Sequence, residues 1–155
     1  MTQKSWIVLI VLTILVASVI GFIYWNSPER RIRAVLTDGK AAIEAKDLDR
    51  AMSHVSLQYR DENGFAYMTV KKLLKMAFDQ FEGFDLRLTN VSMEIQKDRA
   101  VVQTDLEVIG IQQGEKSYLI GSREESVPIR ITFVKETMRW QVVSVDGIRM
   151  PFSEF

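Results

Sequence analysis

The chain contains no cysteine and only one histidine, His54, among its 155 residues. The first absence excludes disulfides, thiolate metal sites and cysteine nucleophiles. The second excludes a multi-histidine metal centre within one chain. Charge of one sign is also missing, because 20 Lys and Arg balance 20 Asp and Glu. That balance supplies no basic face, so nucleic acid is not an expected partner. No Gly-x-Ser-x-Gly elbow, phosphate loop or dinucleotide fingerprint occurs, and no cofactor or metal is expected. What the chain does have is one long apolar run, Trp6 to Trp25, with no charge in it.

A helix over that run rises roughly 30 Å, the thickness of a hydrocarbon core. A secretory signal has a shorter apolar stretch and a small-residue cleavage site. Here Tyr24, Trp25 and Asn26 stand at the exit instead. Trp6 at one end and Tyr24 with Trp25 at the other suit the two membrane interfaces. The expected organisation is a short tail (1–5), a transmembrane helix (6–25) in contact with the lipid bilayer, and one soluble domain (26–155). Orientation is read from the flanks. Lys4 precedes the span, and Arg30, Arg31, Arg33 and Lys40 follow it. A bare count of Lys and Arg favours a cytoplasmic domain. A short tail with one Lys before a long apolar run is the look of a signal-anchor. On that ground the domain is placed on the far side of the membrane, in a periplasmic or extracytoplasmic setting, with cytoplasmic facing as the alternative.

The soluble part begins with helices. Ser27-Pro28-Glu29 is a helix start, with Ser as N-cap and Pro at the first helical position. Ile32, Val35, Leu36, Gly39 and Ile43 then share one face as far as Ala45. Asp47 caps a shorter helix carrying Leu48, Ala51, Met52 and Val55. Asn63-Gly64 marks a tight reversal. A third helix is expected after Thr69 as cap, with Val70, Leu73, Leu74, Ala77, Phe78 and Phe81 as its apolar stripe and Gly83 as its stop. Alternating strands follow: Asp85 to Gln96, Ala100 to Val108, Tyr118 to Lys135 with a break near Gly121, and Arg139 to Val145. Helices followed by an antiparallel meander predict an α+β fold: a curved antiparallel sheet packed on three helices, with the other sheet face open.

The order helix, short helix, Tyr59-Arg60-Asp61-Glu62-x-Gly64, helix, then long strands closing on Arg139-Trp140-Gln141-Val142-Val143-Ser144-Val145 resembles the nuclear transport factor 2-like superfamily. The resemblance covers about Pro28 to Ile148. It implies a cone-shaped sheet wrapped around the helices. That cone hosts ketosteroid isomerases, dehydratases and polyketide cyclases, and also non-catalytic binding and assembly modules. Some bacterial members carry one N-terminal span, among them a scaffold subunit of type IV secretion systems, but no motif particular to that subunit is present. Shared fold does not transfer chemistry.

Five residues are the first candidates for chemistry, with Ser144 and Asp146 on the last strand ambiguous beside them. His54 is the one imidazole, more simply a half-exposed structural histidine. Tyr59 and Asp61 form a conceivable acid–carboxylate pair at the cone mouth, although Asp61 more simply accepts turn amides. Asp105 and Glu107 share a strand face with Gln103, and their charge favours solvent and pairing with Arg130 or Lys135. Phe65, Tyr67, Phe78, Phe81 and Trp140 are chiefly core, with some expected to line a small apolar pocket. The expectation is a membrane-anchored, non-catalytic binding or assembly module. It would meet a second copy or a membrane-protein partner through its open sheet face. The alternative is an isomerase, dehydratase or cyclase acting on an apolar small molecule.

Overall fold

The structure, a computed structural model, describes the backbone of residues 3–149, with side chains from residue 10 onward. Four helices and five strands occupy it: α1 (Gln3–Trp25), α2 (Pro28–Glu44), α3 (Leu48–Met52), α4 (Tyr67–Gln80), β1 (Gly83–Gln96), β2 (Arg99–Gln112), β3 (Glu115–Ile120), β4 (Val127–Glu136) and β5 (Arg139–Asp146). The strands form one antiparallel sheet in the order β1-β2-β4-β5, with β3 added to the far half of β2. The α+β layout of a meander packed on helices is therefore present.

Helix α1 carries the apolar run, and from residue 10 to residue 26 every described side chain is exposed. Its large apolar groups keep between 49 % (Val19) and 80 % (Trp25) of their surface open. Trp6, expected at one membrane interface, lies outside the described side chains. Among the described residues no single helix is long and apolar enough to cross a membrane. The segments Ile10–Trp25 and Pro28–Glu44, bent by 42° at Asn26-Ser27, meet that measure only together.

The caps of α2 and α3 form as local chemistry dictates. Ser27 accepts the amide of Arg30, and Asp47 accepts that of Arg50 at 3.1 Å. Ile32 and Ala42 are sealed against the sheet at 0 % exposure. Val55 does not ride on α3. It pairs in parallel with Val142 of β5, and Ser56 N–H donates to Val142 O at 2.9 Å.

Two expected helix boundaries move. The N-cap of α4 is Ala66, without a side-chain bond, and Thr69 lies inside the first turn. The bridge between Arg60 and Ala66 sets the start, so tertiary pairing takes the place of a polar cap. Gly83 is not the helix stop. Phe81 is already extended at φ −107°, and Glu82 N–H donates to Ile111 O at 2.8 Å. Gly83 is instead the first residue of β1, opposite Ile111.

Alternation places Ala100, Val102, Thr104 and Leu106 of β2 on the buried face, as the pattern predicts. Beyond Leu106 the rule fades, because β3 joins with a register shift at Val108/Ile109 and Ile109 and Gly110 are buried too. The main core holds Ile32, Val102, Leu106, Ile131, Phe133 and Trp140. A second cluster of Phe78, Phe84 and Leu86 joins α4 to β1, with Phe81 set edge-on to Phe84 at 5.7 Å.

Candidate functional site

The helices cover one face of the sheet and leave the other to solvent. On that open face Ser92, Gln103, Arg130 and Asp146 stand in register on β1, β2, β4 and β5. They line a groove of about 470 Å³, with Asn90, Asp105 and Pro128 along one side and Glu62 and Gly147 at the end.

A bulge in β1 shapes its wall. Between Thr89 and Ser92 the register slips, and Asn90 takes a positive φ of 53°. The buried Thr104 hydroxyl donates to Thr89 O at 2.7 Å and holds the bulge from below. Asn90 Nδ2 donates to Asp105 Oδ2 at 2.7 Å across the rim. The end is closed by the loop of residues 59–65. Glu62 N–H donates to Asp146 Oδ1 at 2.9 Å, and Gly147 N–H donates to Glu62 Oε1 at 2.6 Å. Gly147 has φ +103°, and a Cβ there would lie 2.6 Å from Pro128 O, so only glycine fits.

The groove therefore carries three carboxylates, Glu62, Asp105 and Asp146, against one guanidinium, Arg130. Each carboxylate accepts a hydrogen bond from the protein, the second oxygen of Asp146 from Ser144 at 3.0 Å. Arg130 has no ion-pair partner among the described residues. Such a surface suits recognition of polar groups. No group of three or more His, Asp or Glu side chains among the described residues could hold a metal ion.

Of the sequence candidates Asp105 and Asp146 lie in the groove, and the others fall elsewhere. His54 sits just past α3, and its Nε2 lies 2.6 Å from Asp38 Oδ2. Arg50 reaches the other oxygen of Asp38, with Nε at 3.0 Å. Bonding to Arg50 first, and to His54 next, holds the Asp38 carboxyl down at about 2. Tyr59 and Asp61 do meet, at 3.0 Å, with the phenol donating to Oδ2. Their partners are structural. Asp61 Oδ1 accepts the amides of Asn63 (2.9 Å) and Phe65 (3.0 Å), and the Tyr59 oxygen accepts Val145 N–H at 3.2 Å. Burial of the phenol, then the adjacent Asp61 charge, pushes Tyr59 far above the usual tyrosine range.

Asp105 and Glu107 take partners other than Arg130 and Lys135. Asp105 binds Asn90, and Glu107 stands 3.9 Å from Arg87 on β1, directly opposite in register. Of the aromatic set, Trp140 is in the main core and Phe78 and Phe81 are in the second cluster. Phe65 and Tyr67 are half-buried, and none of the five lines the groove. The groove is polar and lies on the face opposite the core.

Sequence reasoning missed the part played by Asn90, Ser92, Arg130 and Gly147 in one site. Alternation puts Gln103 and Arg130 each on an outward face, but only strand pairing makes them neighbours. Asp38 and Arg50 gave no local signal, being 12 residues apart on separate helices.

No protein-family model matches the sequence, and no curated protein matches it. Solved structures do match in fold. A candidate scytalone dehydratase from Novosphingobium aromaticivorans superposes with a TM-score of 0.65 at 14 % identity, over 82 % of this chain and 94 % of that one. A candidate dehydratase of the nuclear transport factor 2-like family from Streptomyces avermitilis gives 0.63 at 14 %, over 77 % and 95 %. Bd1075 of Bdellovibrio bacteriovorus gives 0.64 at 12 %, over 78 % of this chain and 41 % of its own length. At these identities the likeness shows the fold alone, the α+β layout of a curved antiparallel sheet and helices that these nuclear transport factor 2-like and cystatin-like neighbours share.

Proposed function

We propose that this chain is a membrane-anchored, non-catalytic binding or assembly module, tethered by residues 6–25, with its domain (26–155) outside the cytoplasm. The observation that carries this reading is α1. A helix that is uncharged from Trp6 to Trp25, with its described large apolar side chains 49 to 80 % open, attached to a domain whose own core is sealed, has far more exposed apolar surface than a water-soluble monomer tolerates. Lipid removes that cost. Tethering also raises the domain's local concentration near partners in the same bilayer.

The contact surface in this reading is the open sheet face, centred on the Gln103–Arg130 groove. A second copy or another membrane protein with a polar, mainly cationic contact would suit its three carboxylates. An enzyme of the isomerase, dehydratase or cyclase type would need a free polar pair inside the cone. Tyr59 and Asp61 bond to each other and to backbone amides instead.

The absence of native cysteine makes the test direct. Membranes carrying Gln103→Cys are treated with a thiol crosslinker, and Lys75→Cys on the exposed side of α4 serves as control. A discrete adduct from the groove position, lost when Asp105→Asn is added, is expected. Equal yield from both positions would overturn the assignment of the groove. Release of the intact chain from membranes by alkaline wash would overturn the tether.

A further inference from the structure

At the junction of α1 and α2 two guanidinium groups lack a carboxylate. Arg30, Arg31 and Arg33 follow the apolar run within two turns, and Glu29 is the one acid beside them. Glu29 is already taken, because Arg33 donates to its Oε1 from Nε (3.1 Å) and from Nη2 (3.0 Å). Arg31 donates to the neutral side-chain oxygen of Asn26. Arg30 lies over the ring of Tyr24, 5.2 Å from its centroid. Neither Arg30 nor Arg31 has an acidic partner among the described residues.

Their position follows from packing. Ile32 is sealed into the core at 0 % exposure. On a helix of roughly 3.6 residues per turn, Arg30 then projects from nearly the opposite side. Tyr24 and Trp25 are 70 % and 80 % exposed at the end of the apolar helix. Aromatic rings at such an end sit at headgroup depth. The contact with Tyr24 therefore holds the Arg30 charge at that same depth.

We propose that Arg30 and Arg31 together bind the phosphate of an anionic phospholipid headgroup at this junction. The proposal rests on the membrane reading above. Paired forks of N–H donors match phosphate oxygens, and a lipid phosphate would supply the negative charge that both arginines lack.

The full chain with Trp6→Phe, reconstituted in phosphatidylcholine vesicles, leaves Trp25 as the tryptophan at the junction. Trp140 is 4 % exposed in the core and shielded. Trp25 quenching by brominated phosphatidylglycerol is compared with quenching by brominated phosphatidylcholine. The expected result is a preference for the anionic lipid on the order of fivefold. It should fall to near unity in R30Q/R31Q and be weakened but not lost in R30K/R31K, which keeps the charge without the fork. Equal quenching by the two lipids, or a preference unchanged in R30Q/R31Q, overturns the proposal. Loss of the preference in excess inorganic phosphate means the pair takes any phosphate and overturns the lipid assignment. Quenching by neither lipid overturns the membrane reading itself.

Discussion

Asp38 on α2 and His54 beyond α3 meet at 2.6 Å, although 16 residues separate them in the chain. Arg50 grips the same carboxylate, so one side chain ties the first two helices of the domain together. His54 also lends its carbonyl to Val142 N–H at 2.8 Å, which carries the tie on to β5.

This arrangement sets an acid dependence. Arg50, then His54, holds Asp38 at about 2 against an ordinary value of 3.8. A carboxyl depressed in the folded state contributes fully above its unfolded value, and the contribution fades as pH falls towards the folded one. Unfolding midpoints should therefore decline between about pH 4 and 2. Asp38→Asn should flatten that part of the curve and lower stability at neutral pH. His54→Ala should cost less than Asp38→Asn, since Arg50 and the His54 backbone bond remain. An acid limb unchanged in Asp38→Asn would refute the tie.

Tyr59 gives the opposite limb. Its phenol is buried, donates to Asp61 and accepts Val145 N–H, and its pKa is raised. A raised acid stabilises the fold up to its unfolded value near 10, and that stability is lost as pH climbs beyond it. Tyr59→Phe should cost about 1–3 kcal/mol in denaturant unfolding, because the Val145 amide and one Asp61 oxygen lose their partner. A cost within error of zero would mean that water replaces the hydroxyl.

Gly147→Ala should both destabilise the domain and spoil the groove. The added Cβ meets backbone, Pro128 O at 2.6 Å, and the φ of +103° is strained for any L side chain. A loss of about 1–3 kcal/mol is expected. The Gln103→Cys crosslink should weaken with it, since Gly147 N–H fixes Glu62. Wild-type crosslinking in Gly147→Ala would place recognition away from this end of the sheet.

Removing residues 6–25 should release a folded domain into solution. Among the described residues the main core draws on α2 and the strands and takes none from α1. Cooperative unfolding and a dispersed spectrum of the truncated chain are the expected readout, and recovery of aggregate alone would contradict domain independence.

Much of the fold was legible because its causes are local. Ser27 and Asp47 cap by reaching amides three residues on, and the alternation of Ala100, Val102, Thr104 and Leu106 needs only the pleat. The errors lie where distant pairing overrode a local rule. Ala66 starts α4 through its bridge to Arg60, and Gly83 enters β1 because Ile111 pairs with it.

Sequence alone determined the apolar run from Trp6 to Trp25, the near-neutral charge, the absence of cysteine chemistry and the order of helices before strands. These are properties of composition and short-range periodicity, which one-dimensional information contains. The tertiary structure decided which polar groups meet. Register brings Ser92, Gln103, Arg130 and Asp146 into one row from four strands, and helix packing brings Asp38 between Arg50 and His54. Hydrogen-bond reach is about 3 Å, and only the folded chain brings residues so far apart in sequence within it.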